Sequence, residues 1–99
     1  MLNGKWDMIL HSPMGDKAVI FEAAEEGEAL TGRFSADSGW NTEIYEGKVD
    51  EAAFSFKVDF PVPAMGSFTF TLKGEADGDT MSGIAKMAVG KCKFEAKRI

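Results

Sequence analysis

Apolar and polar residues take turns along most of this chain. In Lys91-Cys92-Lys93-Phe94-Glu95-Ala96-Lys97-Arg98 charge falls on the odd positions and mostly apolar side chains on the even ones. A period of two puts successive side chains on opposite faces of a strand, one dry and one wet. Turn signals such as Glu25-Glu26-Gly27, Asp50-Glu51 and Asp77-Gly78-Asp79 interrupt this alternation at short, regular intervals, as in an up-and-down meander. The pattern predicts eight strands, at 4–11, 17–24, 29–35, 41–50, 53–59, 67–76, 80–87 and 91–98. No segment reads as a helix. The expected fold is all-β, an eight-stranded antiparallel up-and-down β-barrel formed by a single domain over 1–99.

Parity assigns the faces. Trp6, Met8, Leu10, Leu30, Phe34, Phe54, Phe56, Val58, Phe68, Phe70, Leu72, Met81, Cys92 and Phe94 share the inner row. Gly32, Gly47, Gly74 and Gly83 also fall on it, and inward glycines let a sheet bend sharply enough to close. Antiparallel connectivity then sorts the loops into two ends. The connections at 12–15, 36–40, 60–66 and 88–90 gather at one end, long and apolar, with Met14, Trp40, Phe60, Val62 and Met65. The turns at the other end are tight and acidic. The apolar end reads as a mouth, or as loops that fold over and plug the ring.

Composition narrows the partners. A net charge of −5 argues against nucleic acid and anionic membrane surfaces. No run approaches a membrane span. The opening Met1-Leu2-Asn3-Gly4-Lys5-Trp6 has neither the basic start nor the apolar middle of a secretory signal. One cysteine excludes an internal disulfide, so the expected location is cytoplasmic. One His and one Cys match no zinc pattern, and no cofactor is called for.

Gly4-Lys5-Trp6 in the first strand and Arg98 in the last resemble the signature of the calycin group, which holds lipocalins, fatty-acid-binding proteins and avidins. The resemblance implies a barrel closed at one end by Trp6, with Arg98 lying across it. Geometry agrees independently, because the eighth strand of such a meander pairs with the first and a guanidinium over an indole is favourable. Gly27-Glu28-Ala29-Leu30-Thr31-Gly32-Arg33-Phe34 is similar to the third strand of streptavidin and its approach, and the likeness fades after Asp50. Avidins hold the ureido oxygen of biotin with an Asn, a Ser and a Tyr; the matching positions here are Met8, Ser12 and Phe34. Only the serine is kept, so the resemblance implies a shape and no biotin site. Pro13-Met14-Gly15 and the Gly78-Asp79-Thr80-Met81-Ser82-Gly83 turn also look like those of small uncharacterised bacterial lipocalin-like proteins.

Three functional readings follow. The first is a barrel that binds a small apolar or aromatic ligand through its mouth, lined by Met8, Leu10, Ser12, Phe34, Trp40, Phe56, Val58, Phe60, Phe68, Phe70, Met87 and Phe94. The second is an enzyme of isomerase, cyclase or hydratase type. Taking Gly47 as inward puts Glu43 and Tyr45 on the inner row, where desolvation would raise the carboxylate's pKa and suit acid–base work. A β-bulge at Gly47 would instead turn both outward and bring Ile44 inside. The third is a filled barrel acting as a protein-interaction module. His11 falls on the outer row, no Gly-x-Ser-x-Gly elbow is present, and Cys92 reads as a small core hydrophobe. Outward Ile9, Ile20 and Ile44 predict a self-association patch and a homodimer.

Overall fold

A computed structural model of the chain describes residues 2–12, 15–36, 39, 41–62, 66–88 and 90–99, with backbone alone at 12, 61 and 62. Trp40, Met14 and Met65 lie outside the described residues. The alternating segments form β1 (Gly4–Ser12), β2 (Gly15–Glu26), β3 (Ala29–Ser35), β4 (Asn41–Glu43), β5 (Tyr45–Asp50), β6 (Ala53–Val62), β7 (Gly66–Asp77), β8 (Thr80–Met87) and β9 (Gly90–Arg98). Every pairing is antiparallel, and neighbours in sequence are neighbours around the ring. Pairing of β1 with β9 completes it. Because β4 and β5 both pair with β3, they are the two halves of one bulged strand, and the barrel has eight staves. This closed antiparallel barrel is consistent with a calycin-like fold.

The bulge corrects one expectation. Between Leu30↔Gly47 and Arg33↔Glu43, two residues of β3 oppose three of its partner, Ile44, Tyr45 and Glu46. Glu46 absorbs the extra residue in a left-handed conformation at φ 52°, and the register against β6 slips between Tyr45 and Lys48. One inserted residue inverts parity across the bulge. Ile44 is therefore buried, while Glu43 and Tyr45 face solvent. Their inward placement does not occur, and Ile44 drops out of the outer isoleucine patch.

The closed end is built around Trp6. Its ring is fully buried and its indole N–H donates to the Leu2 carbonyl at 3.0 Å, which folds the N-terminal residues across the opening. The Arg98 guanidinium sits 4.3 Å from the ring centroid. Arg98 Nε donates to Asp79 Oδ1 at 2.9 Å, and its Nη1 donates to the Asn3 carbonyl. A cation held over an indole and fixed by a carboxylate keeps its charge satisfied while covering the ring. Gly4 has φ +129°, and a Cβ there would come within 3.2 Å of Arg98 Nη1. Glycine therefore admits the arginine in the Gly-x-Trp pattern.

Gly83 and Gly74 face each other across β8 and β7 at the bend opposite. A Cβ on Gly83 would fall 2.1 Å from the Lys73 carbonyl oxygen and 2.5 Å from Gly74 Cα. Backbone cannot yield that much. Gly83→Ala should cost about 2–3 kcal/mol by denaturant unfolding, the upper range for overpacking. Ser82→Ala, one residue away on the exposed face, should stay within about 0.5 kcal/mol. Equal effects would show that the bend does not need glycine.

Candidate functional site

Large rings fill the middle of the barrel. Phe21 and Phe34 meet edge to face at 4.9 Å, Phe21 and Phe56 stack at 5.1 Å, and Phe34 meets Phe56 edge to face at 5.7 Å. All three are essentially without solvent contact, as are Met8, Leu72, Val58 and Phe94. Each buried ring contributes about 1.5–3 kcal/mol by leaving water. Met8, Leu10, Phe34, Phe56, Val58 and Phe94 belong to one buried core cluster.

The packing thins toward the mouth. Phe60 stacks on Phe34 at 5.4 Å and meets Phe70 perpendicular to it at 5.0 Å. Phe60 is buried rather than exposed as the loop reading implied, because β6 runs on as strand to Val62. Phe70 and Met87 are only partly covered and rest on the core, and Phe68 is half-buried on the same row. These residues form the candidate site, an apolar rim above an aromatic floor. Ser12 ends β1 at this rim, with its side chain outside the described residues, as is Trp40.

The polar candidates lie elsewhere. Glu43, with 74% of its side chain exposed, pairs with Arg33 at 3.0 Å on the outer face. Tyr45 donates its hydroxyl to Asp59 Oδ1 at 2.9 Å, and Thr69 donates to the same oxygen at 2.8 Å. This outer cluster was not legible in the sequence, since it depends on the parity change at the bulge. Cys92 is buried in the core, and burial pushes its thiol pKa up, away from the reactive thiolate.

His11 is exposed between two acids. Its ring nitrogens lie 3.2 Å from Glu95 Oε1 and 3.2 Å from Asp16 Oδ1. The hydrogen bond to Glu95, then that to Asp16, raises its pKa above the ordinary 6.5. The outer face of the hairpin joining β1 and β2 is thus tied to β9 through the His11 ring.

No family model, curated protein or solved structure matches the chain.

A raised pKa in the folded state means that the His11 contacts stabilise the protein most below the ordinary 6.5. That contribution fades as pH rises through the folded value. NMR titration of the imidazole should give a midpoint above 6.5, and Glu95→Gln should move it down. A midpoint unchanged by Glu95→Gln would place the cause elsewhere.

Proposed function

We propose that the protein binds a small, flat, apolar compound at the open end of its barrel. The observation that carries this reading is the incomplete covering of Phe70, Met87 and Phe68 beside the buried Phe60–Phe70 pair. Apolar surface left wet on an inward-facing row is what a flat ligand would cover, at about 25 cal/mol per Å². The floor of Phe34 and Phe56 limits such a ligand to the rim and keeps it out of the lumen. The resemblance to calycins, which carry ligands in barrels of this form, supports the same reading.

A protein-interaction module is the second reading, favoured by the aromatic filling of the interior. Acid–base catalysis by Glu43 and Tyr45 has no comparable support, since both face outward and are tied to Arg33 and Asp59.

Titration with an uncharged, solvent-sensitive dye such as Nile red separates the two supported readings. Saturable binding of one dye per chain is expected. Phe70→Leu should weaken it roughly fivefold, the effect of losing about 1 kcal/mol of ring contact. Tyr45→Phe on the outer face should leave it unchanged. Folded protein that shows no saturable dye response would favour the interaction module.

A further inference from the structure

Net charge is an average, and the strand register shows how unevenly this chain distributes it. Of 16 acidic residues, none falls within 66–74 or 83–94, which contain Lys73, Lys86, Lys91 and Lys93. Pairing brings these four into one field on the outer face of β7, β8 and β9. Ile84 lies between Lys73 and Lys93, and one row nearer the mouth Lys86 stands directly opposite Lys91. All four side chains are exposed, and among the described residues none of them forms an ion pair. Like charges directly opposite on neighbouring strands repel and weaken the sheet. The fold gains nothing from this pair.

The field borders the apolar rim. Met87 follows Lys86 on the inner row, and the register carries Thr71, the neighbour of Phe70, beside Lys86. A cationic face contiguous with a wet apolar edge matches a surface that is anionic in its headgroups and apolar just beneath. A purely acidic polypeptide would satisfy the lysines alone and leave the partly covered Phe68, Phe70 and Met87 as they are. At physiological salt the screening length is about 8 Å, so a local lysine field acts on a nearby surface more strongly than the distant acids do.

We propose that the mouth-half face of β7–β9 docks on membranes rich in anionic phospholipid, with Lys86, Lys91, Lys93 and Lys73 against the headgroups and the aromatic rim at the interface. This departs from the expectation that net charge alone sets, because the bilayer meets one face rather than the whole molecule. It does not depend on any ligand occupying the rim.

Cosedimentation of the full chain with vesicles tests it, using phosphatidylcholine alone or with about a third phosphatidylserine, at low and high salt. Binding is expected to the anionic vesicles only and should fall steeply with salt. Lys91→Glu should lower the partition coefficient by at least about fivefold, the effect of losing one lysine's attraction to an anionic surface. Lys5→Glu makes the same change in net charge at the sealed end of β1 and should change it less than about twofold. Lys91→Glu should also raise the melting temperature, since it turns the Lys86–Lys91 opposition into an attractive pair. Loss of binding in a more stable protein cannot be ascribed to unfolding. Three outcomes would overturn the proposal: no binding to anionic vesicles at low salt, equal losses in the two variants, or capture by immobilised polyglutamate without vesicle binding, which would make the partner an acidic protein.

Discussion

Eight strands bent into a ring leave an interior about as wide as the side chains that line it. That width governs the rest of this molecule. Phe21, Phe34 and Phe56 contact one another inside the ring at centroid distances of 4.9 to 5.7 Å, leaving a packed floor. Interior surface is thereby committed to holding the barrel together. What remains for contact with other molecules is the thinly covered rim and the outer face.

The two ends of the ring meet that constraint differently. At one end Trp6 is capped by Arg98, whose charge is held by Asp79, and Leu2 is drawn in beneath the indole. The indole N–H of Trp6 and the guanidinium of Arg98 thus both find partners within the fold. At the other end β6 and β7 continue as paired strand out to Val62 and Gly66. Their inner row still carries Phe60, Phe68 and Phe70, and the last two are not fully covered. The asymmetry between an end capped by Arg98 on Trp6 and an end whose described apolar row is only partly covered is what directs a functional reading to the mouth.

Much of this was legible in the alternation of residues. Phe54, Phe56 and Val58 on β6, and Cys92, Phe94 and Ala96 on β9, lie on the buried row that parity assigns. The nearness of Trp6 to Arg98 followed from strand count alone, and the two are partners in the β1–β9 register. Parity fails where one residue is inserted. Counting back from Gly47 puts Glu43 inside, and only the left-handed turn at Glu46 reveals that the count has changed sign. Glutamate has no sequence signature for that conformation, in contrast to glycine or asparagine. The lysine field escaped for another reason: Lys86 and Lys91 are five apart in sequence, and their opposition exists only once the hairpin's register is known.

Charge along the barrel axis completes the argument. The turns at the sealed end carry Glu26 and Glu28, Asp50 and Glu51, and Asp77 and Asp79. Around the mouth half of β7–β9 the lysines stand without acids. A molecule arranged this way is electrically polar even though its sum is negative. The half that carries these lysines is also the one whose inner row holds the partly covered Phe68 and Phe70. Positive charge and incompletely covered apolar surface therefore fall on neighbouring parts of the molecule, and two independent features at one place are harder to attribute to chance than either alone. The repulsion between Lys86 and Lys91 makes the point from the stability side, since a fold optimised only for itself would place an acid opposite a lysine in an exposed hairpin.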